Sequence, residues 1–122
     1  MTRKSILVVE DEPDSIMLIQ RSLHLKNFNV IQANSGTQAL DLFERVKQYL
    51  VLLDIMMPDM DGFEVCRRIK EKPAGKKVPV VFLTVRSQEE DIARSKAVGA
   101  VGYFTKPFDP FKLVKDIEGF LV

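Results

Sequence analysis

The sequence has 122 residues, of which 46% are hydrophobic and 29% are charged, and this composition predicts one globular domain over residues 1–122 rather than a disordered chain. Eighteen Lys and Arg residues against 17 Asp and Glu residues leave a net charge of +1, so we expect no direct nucleic-acid binding. The apolar runs are too short for a signal peptide or a membrane span, which predicts a cytoplasmic protein. Cys66, the only cysteine, excludes an internal disulfide and is expected to be buried.

Five short apolar segments predict β-strands at Ser5–Val9, Asn29–Ala33, Leu50–Leu53, Val78–Leu83 and Ala100–Phe104. They alternate with amphipathic segments of helical length, a pattern typical of α/β proteins. The strands are rich in Val, Ile and Leu throughout and show no alternation with polar residues. The sequence therefore predicts a parallel sheet that is covered by helices on both faces, with a βα unit repeated five times.

Polar capping residues and prolines mark the predicted helix starts, which lie at Pro13, Ser35, Asp61, Ser87 and Asp109-Pro110. The first helix is predicted to end near Asn27, the fourth before Gly99 and the fifth at Val122. The fourth helix has only a narrow apolar stripe, which consists of Ile92, Ala93 and Ala97. We therefore expect the fourth helix to be held weakly.

Polar side chains stand at the ends of four predicted strands. Glu10 and Asp11 follow the first strand, Asp54 the third, Thr84 the fourth and Lys106 the fifth. Each has an ordinary explanation when taken singly, such as a favourable charge at a helix start or a solvated surface charge. In a doubly wound parallel sheet, however, ligands bind beyond the carboxyl ends of the strands. We therefore expect these side chains to meet at one edge of the sheet.

The acidic residues at this edge need a positive partner. Two like charges about 4 Å apart repel by about 4 kcal/mol at an effective dielectric near 20. Mg²⁺ prefers oxygen ligands, commonly one or two carboxylates with water and a phosphate oxygen, and Lys106 supplies a second positive charge. The Thr84 hydroxyl would meet another phosphoryl oxygen, which leaves Asp54 as the nucleophile. These residues predict a protein that accepts a phosphoryl group as an aspartyl phosphate.

Four sequence strings carry a family resemblance that covers essentially the whole chain: ILVVEDE, VLLDIMMPDMDGFEV, VVFLTVRS and GYFTKPF. In this order and at this spacing they resemble the receiver domain of two-component response regulators, and in particular the chemotaxis receiver. The resemblance implies the flavodoxin-like fold, which is a doubly wound five-stranded parallel sheet in the order 2-1-3-4-5.

The resemblance also implies roles for single residues. Asp54 matches the phosphoacceptor, and Thr84 and Lys106 match the pair that senses the phosphoryl group. Tyr103 matches the switch aromatic, which turns inward when the Thr84 hydroxyl moves toward the phosphoryl group. On sequence alone, an ordinary strand tyrosine with a solvated hydroxyl stays open as the alternative. Lys106-Pro107 matches the cis peptide of the family.

The metal site is likewise implied by the resemblance. Asp11 matches the direct Mg²⁺ ligand, Glu10 acts mostly through water, and Met56 offers its backbone carbonyl. Asp54 completes this set, and Mn²⁺ can take the place of Mg²⁺. The expected cofactor is therefore a divalent cation bound by oxygen atoms.

The resemblance implies the partners as well. A sensor histidine kinase or a phosphotransfer protein donates the phosphoryl group from phosphohistidine, and the aspartyl phosphate later hydrolyses. The signal leaves through the surface of the fourth helix, fifth strand and fifth helix, into a homodimer, an output domain or an effector. The chain is expected to be a signalling switch that catalyses only its own phosphotransfer and dephosphorylation. Whether it is a standalone receiver or part of a longer regulator stays open.

One departure from the common family pattern and four rival interpretations bear on function. Val85 stands where alanine is commoner and is expected to narrow the access of water, while Met56 and Arg86 are expected to tune the phosphoryl lifetime. A flavodoxin-like electron carrier would need a glycine-rich phosphate loop where this chain is acidic, and a haloacid-type phosphatase would need an acid at position 56. A calcium loop over Asp59–Gly62 fails on ligand spacing. A receiver-like scaffold that signals without phosphorylation remains the main alternative.

Overall fold

The computed structural model describes residues 3–121, in which strands and helices alternate along the chain. The strands are β1 (Ser5–Val9), β2 (Asn29–Ala33), β3 (Leu50–Leu53), β4 (Val80–Thr84) and β5 (Gly102–Thr105). The helices are α1 (Pro13–Leu25), α2 (Gly36–Arg45), α3 (Gly62–Glu71), α4 (Glu89–Ala97) and α5 (Pro110–Phe120), with a short 3₁₀ turn at Ala74–Lys76 that the sequence did not predict. Val122, the predicted end of the fifth helix, lies outside the described residues.

All neighbouring strands are parallel, and their order is β2-β1-β3-β4-β5. The predicted fold class and strand order are therefore confirmed. Within residues 3–121, none of the helices combines the length and the apolar character that crossing a bilayer requires.

The first three strands have the predicted bounds, whereas β4 and β5 lie closer to the carboxyl edge than predicted. Val78 was the expected start of β4, but its carbonyl accepts a hydrogen bond from Lys70 Nζ at 2.6 Å. Ala100 was the expected start of β5, but its N–H donates to the Ser95 carbonyl at 3.0 Å. Both backbone groups are bonded outside the sheet, so the pairing of β4 with β5 begins later, at Val81 with Gly102, and extends to Thr84.

The three central strands, β1, β3 and β4, are buried on both faces, and their successive residues pack into two clusters on opposite sides of the sheet. Leu7 and Phe82 belong to a core cluster with residues of α2 and α3. Ile6 and Leu83 belong to a second cluster with residues of α1 and α5. This two-sided burial explains why the central strands are almost wholly apolar, and it leaves the carboxyl edge of the sheet as the place for polar side chains.

Helices α1 and α4 end in the same way, at the positions that the sequence predicted. Asn27 has a φ of 66° and Gly99 a φ of 103°, the left-handed conformation that terminates many helices. In each case the next N–H reaches back to a carbonyl of the last helical turn, from Phe28 to Leu23 at 3.1 Å and from Ala100 at 3.0 Å.

Three of the predicted N-caps are confirmed, and one is wrong. Side chains of Ser35, Asp61 and Asp109 accept hydrogen bonds from N–H groups in the first turns of α2, α3 and α5. The predicted cap of α4 was Ser87, but the N-cap is Gln88, whose side chain makes no capping bond. The first turn of α4 contains three acidic residues, and their charge favours the positive end of the helix without a capping side chain.

The predicted apolar stripe of α4 is also wrong. Ala93 and Ala97 are exposed and Ile92 is only partly buried, whereas the buried residues of the helix are Asp91 and Ser95. The helix packs this polar side inward because both side chains find hydrogen-bond partners there. Helix α4 is thus attached by polar contacts rather than by apolar burial.

Cys66 lies in α3 and is fully buried in the same core cluster as Phe63 and Ile69. Burial raises the pKa of its thiol to about 11. The thiolate, which is the reactive form, is therefore disfavoured at neutral pH, and the prediction of a buried cysteine is confirmed.

Candidate functional site

The candidate site lies at the carboxyl edge of the sheet, where the ladder hydrogen bonds continue one residue past the strands. The N–H of Asp54 donates to the last carbonyl of β1 and that of Glu10 to the last carbonyl of β2, each at 3.0 Å. The N–H of Lys106 donates to the carbonyl of Thr84 at 2.8 Å. These bonds bring residues that are far apart in sequence to one edge, as the sequence predicts.

A buried ammonium group lies between two carboxylates at the centre of the site. Lys106 Nζ is 2.5 Å from Glu10 Oε1 and 3.0 Å from Asp54 Oδ2. The three side chains are 10%, 3% and 8% exposed, respectively. Lys106 therefore neutralises part of the repulsion between the two acids, and the site keeps a net negative charge.

Backbone N–H groups orient both carboxylates. Glu10 Oε2 accepts from the N–H groups of Asp11 at 3.1 Å and Glu12 at 3.2 Å. Asp54 Oδ1 accepts from the N–H of Met56 at 3.2 Å. Among residues 3–121, every buried side-chain nitrogen and oxygen has a hydrogen-bond partner. The carboxylates are thus held in fixed orientations by the loops that follow β1 and β3.

The environment shifts the pKa values of two of these groups. Burial raises the pKa of the Glu10 carboxyl, and the hydrogen bond from Lys106 opposes this shift only in part. Burial by itself would lower the pKa of Lys106, but the hydrogen bonds to Glu10 and Asp54 outweigh it and raise that pKa. Lys106 therefore stays a cation at neutral pH and can attract an anionic group.

Thr84 is fully buried at the end of β4. The register pairs Leu53 with Phe82, so Thr84 and Asp54 both lie at the carboxyl edge on neighbouring strands. The Thr84 hydroxyl accepts a hydrogen bond from the N–H of Arg86 at 3.4 Å, which is a long contact.

Tyr103 lies in β5 and points toward the loop between β4 and α4. Its ring centroid is 6.2 Å from that of Phe82. Its hydroxyl donates to the Arg86 carbonyl at 2.6 Å. Burial raises the pKa of Tyr103, which is consistent with a hydroxyl that bonds to the protein.

The predicted metal ligands include two residues at the rim of the site. Asp11 is exposed, and the Met56 side chain points away into solvent with 57% exposure. No group of three or more His, Cys, Asp or Glu side chains in residues 3–121 is arranged to hold a metal ion. Mg²⁺ needs only one or two carboxylates and otherwise keeps its water. Among the predicted ligands, Asp54 and Asp11 supply that number of carboxylates.

Sequence reasoning missed Asp59, because it tested this residue only as a calcium ligand. Its carboxylate accepts hydrogen bonds from the N–H groups of Gly36 and Thr37, each at 2.8 Å, and from the Thr37 hydroxyl. The hydrogen bonds from Thr37 hold the pKa of Asp59 well below its usual range. Asp59 thus fastens the loop after Asp54 to the start of α2.

Sequence reasoning also missed the steric role of Gly62. A Cβ atom at this position would lie 2.3 Å from the Asp54 carbonyl oxygen and 2.8 Å from Ile55 Cα. The Gly62 N–H donates to the Ile55 carbonyl at 2.8 Å. Only glycine lets the chain pass this close to the peptide of Asp54.

Replacing Gly62 with Ala is expected to lower the free energy of unfolding by about 2 kcal/mol, because the new methyl group meets backbone atoms that cannot turn aside. Urea unfolding measures this change. Gly119→Ala is the matched control, since nothing lies within 4 Å of a Cβ there, and we expect it to unfold no earlier than wild type. Equal midpoints for Gly62→Ala and wild type would contradict the steric argument.

The chain belongs to a family of signalling switches. The family model described as "Response regulator receiver domain" matches residues 6–118. Receiver domains of this family interact with histidine kinases and with output domains. The chain is therefore a receiver domain of the two-component response regulator type.

Two relatives illustrate the range of lengths in which such a domain occurs. The alkaline phosphatase synthesis transcriptional regulatory protein PhoP of Bacillus subtilis is 36% identical over 118 residues, which are 97% of this chain and 48% of PhoP. An uncharacterized 14.6 kDa protein of Leptolyngbya boryana is 36% identical over 118 residues, which are 97% of this chain and 90% of that protein. The chain thus spans about half of the regulator and most of the shorter protein.

Solved structures show the same fold. Chemotaxis protein CheY4 of Vibrio cholerae aligns with a TM-score of 0.93 at 28% identity, over 98% of this chain and 100% of that one. The phosphorylated cyanobacterial phytochrome response regulator RcpA aligns with a TM-score of 0.88 at 32% identity, over 98% of this chain and 94% of that one. The Mn²⁺-bound form of response regulator Rcp1 aligns with a TM-score of 0.85 at 32% identity, over 96% of this chain and 93% of that one.

Proposed function

We propose that this chain accepts a phosphoryl group on Asp54 from the phosphohistidine of a sensor histidine kinase or a phosphotransfer protein. The observation that carries the proposal is the buried ion-pair cluster in which Lys106 Nζ lies 3.0 Å from Asp54 Oδ2. A carboxylate that is buried beside a permanent cation, at the ligand-binding edge of the sheet, suits an attack on phosphorus better than a structural role. The phosphorylated RcpA structure supports the same chemistry in a protein that is 32% identical.

Asp54, Lys106 and Thr84 have separate roles in the transfer. An oxygen of Asp54 forms the new bond to phosphorus while the bond from phosphorus to the histidine nitrogen breaks, and the nitrogen keeps the electron pair. The ammonium of Lys106 stabilises negative charge on one phosphoryl oxygen, and the Thr84 hydroxyl donates to another. Water later attacks the phosphorus and releases phosphate, which restores the carboxylate. The cycle ends with Asp54 in its starting state, so the chain acts as a switch between a free and a phosphorylated carboxylate.

We further propose that a bound Mg²⁺ is held by Asp54 and Asp11, with Glu10 acting through water and Met56 contributing its backbone carbonyl. The cation supplies charge neutralisation between the carboxylates and the incoming phosphoryl group. The residue chemistry fits, because all four ligands are oxygen atoms. The Mn²⁺-bound form of Rcp1 supports the substitution of Mn²⁺ for Mg²⁺.

The signal is proposed to leave through the face formed by α4, β5 and α5, in a homodimer or toward an output domain or effector. Tyr103 lies on this face as the switch residue, and its hydroxyl already bonds to the loop that follows Thr84. The polar attachment of α4 makes it an element that can move at low cost. The transcriptional role in the name of PhoP is consistent with an output domain in a relative. A cytoplasmic location remains a prediction.

The proposal is tested by incubating the protein with Mg²⁺ and acetyl phosphate and measuring its intact mass. We expect an adduct of one phosphoryl group, which borohydride trapping and peptide sequencing place on Asp54. The adduct should disappear when EDTA replaces Mg²⁺. An unmodified mass with several small phosphodonors and with a kinase phosphohistidine domain would instead favour a scaffold that signals without phosphorylation.

Val85 is expected to slow the loss of the phosphoryl group. Its side chain is 59% exposed and, with Lys106 and Pro107, lines a cleft of about 330 Å³ beside the site. Val85→Ala should let water approach more easily and speed dephosphorylation about threefold, which equals about 0.7 kcal/mol in the barrier. Phosphate release from the purified adduct measures the rate. Val46→Ala, at the end of α2, is the control, and equal rates for Val85→Ala and wild type would refute the expectation.

A further inference from the structure

Arg86 contacts three parts of the molecule that the proposed function leaves unconnected. Its N–H donates to Thr84 Oγ1 at 3.4 Å, and its carbonyl accepts from the Tyr103 hydroxyl at 2.6 Å. Its guanidinium donates to both carboxylate oxygens of Asp91 in α4, from Nε at 3.2 Å and from NH2 at 2.6 Å. One residue therefore joins the predicted phosphoryl sensor, the predicted switch aromatic and the first turn of α4.

The Asp91 carboxylate depends on this pair. Its side chain is 7% exposed, whereas that of Arg86 is 43% exposed. Within residues 3–121, no side chain other than Arg86 donates to the Asp91 carboxylate. A buried carboxylate that loses its cation is strongly disfavoured, and a two-pronged guanidinium contact fixes direction as well as distance. Asp91 and Arg86 therefore hold each other in one orientation.

Little else in the neighbourhood could fix the Arg86 peptide. Residues 85–90, which form the loop after β4 and the start of α4, are all exposed. Helix α4 buries only Asp91 and Ser95, and its further attachment includes the Arg94 guanidinium, which lies 4.4 Å from the centroid of the Phe63 ring. Apolar packing is therefore scarce here, and the ion pair with Asp91 is the side-chain contact that attaches Arg86 to α4.

We infer that Asp91 is a positioning residue, which holds the Arg86 peptide so that its carbonyl receives the Tyr103 hydroxyl and keeps the Tyr103 ring against Phe82. The consequence for signalling rests on the proposed function. If a phosphoryl group on Asp54 draws the Thr84 hydroxyl, Arg86 transmits that movement to Tyr103 and α4 together. The Arg86–Asp91 pair then favours the arrangement in which Tyr103 is inward, and its loss weakens binding of a phosphoryl group.

Tyr103 can be observed directly, because the chain has only two tyrosines. In protein labelled with 3-fluorotyrosine, Tyr49→Phe assigns the two ¹⁹F signals. We expect Asp91→Ala to move the Tyr103 signal toward the position of a solvent-exposed fluorotyrosine and to leave the Tyr49 signal in place, which also shows that the protein is folded. Asp91→Glu should restore the wild-type position in part. Ser95→Ala, which removes the other buried side chain of α4, should leave the signal unchanged.

If Asp91→Ala does not fold, Arg86→Gln is the second variant. It breaks the same ion pair by removing the charge of the more exposed partner. It should shift the Tyr103 signal in the same direction. A Tyr103 signal at its wild-type position in both variants would overturn the positioning role. This result does not depend on phosphorylation, so it is separate from a failure of the proposed function.

Beryllofluoride binding in the presence of Mg²⁺ tests the coupling to the site. We expect Asp91→Ala to bind this phosphoryl analogue at least about fivefold more weakly than wild type, at the lower end of typical coupling between sites. In a Tyr103→Phe background, where the hydroxyl is absent, Asp91→Ala should cause little further loss. Equal affinities of Asp91→Ala and wild type would overturn the coupling. Absence of binding by the wild-type protein would instead count against the proposed function.

Discussion

Asp54→Asn is expected to abolish the phosphoryl adduct that acetyl phosphate and Mg²⁺ form with the wild-type protein. The amide of Asn is a poor nucleophile, and it cannot carry the negative charge that binds the cation. Among the described residues 3–121, the other carboxylate at the buried centre is that of Glu10, and its two oxygens are occupied by Lys106 and by two backbone N–H groups. Intact-mass measurement of both proteins under the same conditions gives the result.

The loss should not come from unfolding. Asp54 is one of the charges that raise the pKa of Glu10, so replacing it by a neutral side chain of equal size removes a repulsion. We expect Asp54→Asn to be at least as resistant to urea as the wild type. Asp61→Asn is the matched control, because Asn serves as well as Asp at the N-cap of α3 and should leave the adduct intact. An adduct that persists in Asp54→Asn would show that the phosphoryl group is attached to a residue other than Asp54.

Lys106→Met is expected to lower the free energy of unfolding at neutral pH by about 3 kcal/mol in the absence of divalent cations. Methionine fills a similar volume but leaves two carboxylates buried side by side without their shared cation. Removing one partner of a buried ion pair typically costs about 3–5 kcal/mol, and uptake of a proton by Glu10 reduces that cost. Urea unfolding with EDTA present measures the change. Lys112→Met, which breaks only an exposed pair with Asp116, should change stability little.

The deficit of Lys106→Met should depend on pH in a definite direction. Burial raises the pKa of Glu10 in the folded protein, so the folded state binds its proton more tightly than the unfolded chain does. The proton on Glu10 therefore stabilises the folded state fully at pH values below the pKa of Glu10 in the unfolded chain. This stabilisation is lost as pH rises through the pKa of Glu10 in the folded protein. Without the Lys106 hydrogen bond, the folded pKa of Glu10 rises further. The variant should therefore approach the wild type in stability at acid pH and fall behind it toward neutral pH.

Mg²⁺ should restore part of the stability that Lys106→Met loses, because a bound cation replaces the missing positive charge and binds only the folded protein. The rescue should require Asp54, so the double variant with Asp54→Asn should gain less from Mg²⁺. If stability at neutral pH were the same for Lys106→Met and wild type, the ammonium would not be the group that neutralises the buried acids. No rescue by Mg²⁺ would count against the proposed cation site.

The sequence alone determined the order and type of the elements and the edge at which the reactive residues meet. Apolar runs without alternation predict buried parallel strands, and the side chains that follow such strands reach one edge by the geometry of the sheet. Asp54 and Lys106 could be predicted as neighbours for this reason, and they are in contact. The motif strings add the family, because their residues and spacing are specific over the whole chain.

Only the tertiary structure decided which atoms pair within that edge. A local pattern cannot show that one ammonium serves both Glu10 and Asp54, nor that Gly62 must lack a Cβ because it passes the Asp54 carbonyl. The predicted apolar face of helix α4 is wrong for a related reason. Apolar periodicity identifies the buried face of a helix only where burial is apolar, whereas here Asp91 turns inward and accepts hydrogen bonds from the guanidinium of Arg86 in the preceding loop. Such pairings depend on how the chain turns in three dimensions, which the helical and strand periodicities of a sequence do not describe.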